Sequence, residues 1–107
     1  MATRHIENVG SSELNDEDDG TWRVTTASGT AYLLDLDKRE GVRLPAGADT
    51  DSAALRRDGA TFRLLALMAC RMGEPAALLV DLSLPGVPMT TRITTEVTSI
   101  TRLIDGH

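Results

Sequence analysis

Trp22-Arg23-Val24-Thr25-Thr26-Ala27-Ser28-Gly29-Thr30-Ala31-Tyr32-Leu33-Leu34-Asp35-Leu36 decides the fold class of this chain. Large apolar and polar residues alternate from Trp22 to Thr26 and again from Thr30 to Leu36, the period-two pattern of a half-buried strand. Between them, Ala27-Ser28-Gly29 suits a three-residue hairpin loop with Gly29 in the left-handed conformation. That loop pairs Thr26 with Thr30, Val24 with Tyr32 and Trp22 with Leu34, and so gathers the large side chains on one face. A slip of one residue would scatter them.

The pattern continues C-terminally. Asp37-Lys38-Arg39-Glu40-Gly41 reads as a second turn. Leu36 then opposes Val42 and Leu34 opposes Leu44, which carries the apolar face through a third strand until Pro45 removes a donor. Residues 46–59 are polar and rich in turn formers, with a short helix expected over 52–57 between an Asp51 N-cap and Gly59. Residues 61–72 carry two patterns at once. Phe62, Leu64, Ala66, Met68 and Cys70 alternate as in a strand, yet Leu65 and Leu67 make the other face apolar, and Leu, Ala and Met favour helix. The preferred reading is a strand, a break at Gly73-Glu74-Pro75 and a second strand through Leu82, both covered on two sides. Pro85-Gly86 fits a type II turn. Thr90 to Ile104 holds six threonines with Ile93, Val97 and Ile100, a strand composition, with a bulge expected near Thr95.

These pieces predict an all-β fold: a small antiparallel meander of five to seven strands closed as a compact barrel or sandwich, with the one short helix near 52–57. The alternative is an α+β fold with 62–72 helical. Residues 21–104 form the single small β domain. Residues 1–20 hold Glu7, Glu13, Asp16, Glu17, Asp18 and Asp19 against Arg4, and this excess accounts for the whole net charge of −5. So polar a segment buries too little to offset its ordering entropy, and it is read as a disordered acidic tail.

Composition narrows the function classes. Cys70 is the only cysteine, so an internal disulfide is excluded. No apolar run approaches the roughly 18 residues of a spanning helix, and no early apolar stretch suggests a signal peptide, which points to a cytoplasmic protein without a membrane partner. His5 lies in the tail and His107 is the last residue, so a histidine-based triad or general base is hard to assemble. No glycine-rich phosphate loop appears. One cysteine and no paired histidines argue against a zinc site. Asn15-Asp16-Glu17-Asp18-Asp19-Gly20 mimics the opening of a calcium loop, but the closing ligand position falls on Thr26 and a strand follows where a helix should begin. No metal, cofactor or catalytic residue is expected. Asp35 and Asp81, near strand ends, are not paired into an acid/base couple.

The span Thr21 to Leu44, with Trp22-Arg23-Val24-Thr25-Thr26, Ser28-Gly29-Thr30, Tyr32 and Leu34-Asp35-Leu36-Asp37, resembles short uncharacterised proteins of actinobacteria and their phages, as does Gly73-Glu74-Pro75 before an apolar run. Ten arginines against the single Lys38 fit coding from a GC-rich genome of that kind. The resemblance implies a β fold and an origin, and no activity.

The leading expectation is a non-catalytic protein-interaction or regulatory module, in one form a phage-derived modulator of a host factor. Leu65, Leu67 and Leu79 are the candidates for excess apolar surface, serving a partner or a homodimer, and Asp16, Asp18 and Asp19 are the acidic docking candidates. The alternative is nucleic-acid binding or regulation through Arg23, Arg63, Arg71, Arg92 and Arg102, all on or beside strands, which the acidic tail would cover in cis.

Overall fold

The computed structural model describes residues 6–45, 60–82, 85–86 and 89–105. Their secondary structure is β throughout: β1 (Ile6–Gly10), β2 (Thr21–Thr26), β3 (Ala31–Asp35), β4 (Glu40–Leu44), β5 (Ala60–Ala69), β6 (Pro75–Asp81) and β7 (Thr90–Asp105). The expected helix over 52–57 lies outside the described residues. The helical alternative over 62–72 is overturned, because β5 occupies 62–69 and isolated bridges follow at Arg71 and Met72.

Strands β2 to β7 pair in chain order, each antiparallel to the next, and β7 returns to β2. The meander therefore closes as a six-stranded barrel. Closure uses the length of β7: its first half pairs with β6 and its second half with β2, the stagger that a closed sheet requires. Beyond β6, β1 takes the same edge of β7, with Ile6 opposite Asp105 and Gly10 opposite Thr101.

The β2–β3 hairpin has the expected register. Trp22 faces Leu34, Val24 faces Tyr32, and the Thr26 N–H donates to the Thr30 carbonyl at 3.0 Å. Gly29 takes φ 90°, the left-handed conformation the loop demands. The inward side chains of this hairpin join Phe62, Leu64, Leu67, Cys70, Ala76, Leu78, Val80, Val97 and Ile100 in one core.

The next hairpin departs from expectation. Its turn is Leu36–Arg39, four residues rather than five, and it sets Leu34 opposite Gly41 and Leu33 opposite Val42. Three features of the chain go with the shorter turn. The Asp35 carboxylate accepts the N–H groups of Asp37 and Lys38, Leu36 folds into the core, and Arg39 adopts φ 59°. The shift from the expected register is three residues, an odd number, so β4 turns over. Val42 and Leu44 pack outside the barrel with Ala31 and Leu33 as a second cluster. Gly41 takes the inward position, and the Phe62 ring on the neighbouring strand fills the space a side chain would need.

The acidic segment also departs from expectation. Over residues 6–20 it is part of the fold rather than a disordered tail. Leu14 is 1% exposed and belongs to the barrel core. The Ser11 N–H donates to the Ile100 carbonyl, the Leu14 N–H to the Cys70 carbonyl, and the Met72 N–H to the Ser12 carbonyl. One buried leucine and a run of backbone bonds supply the stabilisation that average composition concealed.

Gly41→Ala is expected to lower stability by about 1–3 kcal/mol, the usual cost of overpacking a filled core. Urea unfolding checks this. Combining it with Phe62→Leu, which vacates the ring position, should destabilise less than the sum of the two single changes.

Candidate interaction surface

Two β-bulges in β5 shape the outer wall of β5–β6–β7. Between Leu64 and Ala66, and again between Leu67 and Ala69, β5 carries one residue more than β6. The inward sequence therefore runs Phe62, Leu64, Leu67, Cys70, with steps of two, three and three. The extra residues, Leu65 and Met68, are turned outward, 39% and 51% exposed. In register beside them, Leu79 faces Ala66 and Ala77 faces Ala69. On β7, Ile93 pairs with Ala77 and is 62% exposed. The outer face of three adjacent strands thus presents Leu65, Met68, Ala77, Leu79 and Ile93 together. The expectation that β5 and β6 are covered on both faces is corrected here, because on the outer side β5 leaves Leu65 and Met68 exposed.

Of the three leucines expected at an interface, Leu65 is exposed on this face and Leu79 is half-buried within it. Leu67 is not available: it is 4% exposed and packs in the core, because the first bulge reverses the alternation before it. Met68 and Ile93 were missed. Extra residues in β7 on either side of Glu96–Val97 turn Ile93 outward while Val97 and Ile100 stay in the core.

The acidic candidates are engaged within the molecule. Asp16 Oδ1 accepts the Leu67 N–H at 2.8 Å, at the bulge, and also a bond from Arg39 Nη2. The Leu67 N–H, foremost, and Arg39 hold the Asp16 carboxyl below its ordinary value. Asp18 Oδ2 accepts the Asn15 N–H at 2.8 Å and closes a local turn. Asp19 pairs with Arg102 at 3.0 Å, and its carbonyl accepts the Trp22 indole N–H. Glu13 pairs with Arg71 at 3.3 Å.

The five candidate arginines do not share a surface. Arg71 and Arg102 are held by Glu13 and Asp19, and the Arg102 guanidinium lies 5.7 Å from the centroid of the Trp22 ring. Arg92 pairs with Leu78 and therefore points to the inner side of the wall. Arg23 stands between Leu33 and Thr101 on the outer side, and Arg63 between Glu40 and Asp81. Asp35 is used by its turn.

Clefts indent the surface among the described residues. One of about 550 Å³ is lined by Glu40, Gly41, Phe62, Arg63, Asp81 and Leu82. Another, about 290 Å³, lies against the acidic segment between Leu14, Met68 and Arg71. Cys70 is buried, and desolvation, with the charge of Glu13 adding to it, pushes its thiol up to about 11, so the reactive thiolate is disfavoured. Among the described residues, no three His, Cys, Asp or Glu side chains converge as a metal site needs, and no helix is long and apolar enough to cross a membrane. Comparison of the chain with protein-family models, curated proteins and solved structures finds no match.

Asp16→Asn keeps the shape but removes the charge that the Leu67 N–H and Arg39 favour. It should cost about 1 kcal/mol at neutral pH, the low end for a charge-assisted bond because the site is partly exposed. The folded carboxyl titrates below its ordinary value of 3.8, so the unfolded chain takes up its proton first. The contribution is complete above that value and is lost as pH falls through the lower, folded one. Parallel denaturation curves of native and Asp16→Asn protein should therefore converge as pH drops below about 4.

Proposed function

We propose that this chain is a non-catalytic protein-interaction module that engages its partner through the outer face of β5, β6 and β7. The observation that carries this reading is the group Leu65, Met68, Ala77, Leu79 and Ile93, contributed by three adjacent strands, with Leu65 and Met68 projected by the bulges of β5. Apolar side chains scattered singly over a surface need no explanation, whereas a contiguous exposed group on a rigid sheet does. Met68 adds an adaptable, polarisable contact to the branched side chains around it. The bulges that project Leu65 and Met68 are local irregularities of β5, a common means of re-aiming a side chain.

The internal use of charge favours an apolar partner surface over a polyanion. Glu13, Asp16 and Asp19 each take an arginine of this same chain. Among the described residues, the remaining candidate arginines fall on different walls and offer a phosphate backbone no continuous basic track.

Replacing Leu65 and Met68 together by lysine tests the reading. Both side chains are already exposed, so thermal unfolding should shift by no more than a few degrees. Partner capture by the immobilised protein from nuclease-treated lysate should be lost. Undiminished capture by the double variant would place the contact elsewhere.

A further inference from the structure

β6 is flanked on both sides, by β5 from Ala77 to Asp81 and by β7 from Pro75 to Val80. Its backbone N–H and C=O groups are committed to the barrel, so the middle of this wall offers a partner side chains only. A segment joining as an added strand needs a free edge, and the centre of a paired sheet has none. The outer face changes character along its length. Leu65, Met68, Ala77, Leu79 and Ile93 occupy its middle. At the end formed by the β5–β6 turn stand Glu74 and also Glu96, which faces Pro75 across the β6–β7 pair. Both are exposed. Among the described residues neither takes an ion pair, unlike Glu13, Asp16 and Asp19. At the opposite end Arg63 faces Asp81.

We propose, resting on the interaction reading of this same wall, that the face receives an amphipathic helix of a partner protein. Its apolar stripe lies on Leu65, Met68, Leu79 and Ile93, and lysine or arginine in one terminal turn reaches Glu74 and Glu96. Three adjacent strands span about 10 Å from β5 to β7, the width of one helix with its side chains. From Pro75 to Leu79 the wall runs about 14 Å, the length of about nine helical residues. Over that length a stripe at i, i+3 or i+4 and i+7 brings three apolar side chains onto the face.

Charge sets which end of the helix goes where. Exposed ion pairs add little affinity individually, but complementary charge fixes register and suppresses wrong partners. Glu74 and Glu96 favour a basic end beside the β5–β6 turn and oppose an acidic one. The same two carboxylates are repelled by an anionic bilayer, so the apolar face suits a protein segment better than a membrane surface. The described residues of a second copy contain no helix to supply, which points to a different chain as the partner.

Two synthetic helical peptides of about fourteen residues test this. Each carries a leucine stripe on an alanine and glutamine background, one with a pair of lysines in an end turn and the other with glutamates in their place. Fluorescence anisotropy at about 50 mM salt, where surface charge is weakly screened, gives their affinities for the full chain, and methyl NMR locates the contact. The lysine peptide should bind at least about tenfold more tightly than its glutamate twin, with the largest shifts at Met68 and Ile93. Glu74→Gln combined with Glu96→Gln should weaken it about fivefold, the scale of a pair of exposed ion pairs. Glu17→Gln, which removes an exposed carboxylate of the acidic segment, should change it by less than about twofold. Equal binding of the two peptides, or equal weakening by Glu17→Gln, would overturn the charge match. Shifts away from this wall, no binding by either peptide, or a free chain that sediments as a dimer through this face would overturn the helix as its occupant. Partner capture, lost or kept when Leu65 and Met68 are replaced, judges the apolar face independently of these results.

Discussion

β5 is ten residues long and its neighbour β4 is five, and the rest of the structure depends on how that mismatch is resolved. A closed antiparallel barrel must stagger its strands, so the lower half of β5 has no strand on one side. Backbone groups left there without partners would each cost free energy comparable to a lost hydrogen bond. The acidic segment supplies them. Asp16 presents a carboxylate where the next strand would present a carbonyl, Leu14 and Ser12 pair with Cys70 and Met72, and Arg39 closes the top of the gap. The same stretch lays Leu14 into the core, so one segment both completes the edge and fills the interior.

Placement of the acids follows from this arrangement. A cluster of carboxylates near the N-terminus reads as a solvated tail when only composition is considered. In the fold, each of Glu13, Asp16 and Asp19 meets an arginine from a different part of the barrel: Arg71 after β5, Arg39 in the β3–β4 turn and Arg102 on β7. Exposed ion pairs of this kind contribute little individually. Their effect is chiefly to fix the path of the segment and to remove three arginines from the surface available to a polyanion. Among the described residues, the outer wall of β5, β6 and β7 presents an exposed apolar group.

Much of the barrel was legible in the residues. The period-two alternation and the Ala27-Ser28-Gly29 loop specify the β2–β3 register, and the threonine-rich C-terminus reads correctly as a strand. Three features were hidden, each for a physical reason. The Leu36–Arg39 turn is one residue shorter than its composition suggests, because Asp35 caps it and Leu36 is buried, and that parity change moved Val42 and Leu44 to the other face. The bulges in β5 convert a step of two into steps of three at Leu67 and Cys70. That spacing imitates a helix, and it put Leu67 in the core while leaving Leu65 and Met68 outside. Leu14, finally, is a single apolar residue among charges. No local pattern marks it, since its burial depends on β5 and β7, which come much later in the chain.

The most direct measurement compares thermal unfolding of the full chain with that of a chain beginning at Thr21. Since residues 6–20 complete the edge of β5 and bury Leu14, the shortened chain should lose its cooperative transition or melt far below the full chain. Loss of Leu14 alone removes about 2–5 kcal/mol from a domain whose total stability lies near the low end of 5–15 kcal/mol. A shortened chain that unfolds cooperatively at the same temperature as the full one would contradict this, and would show that the barrel closes without its acidic segment.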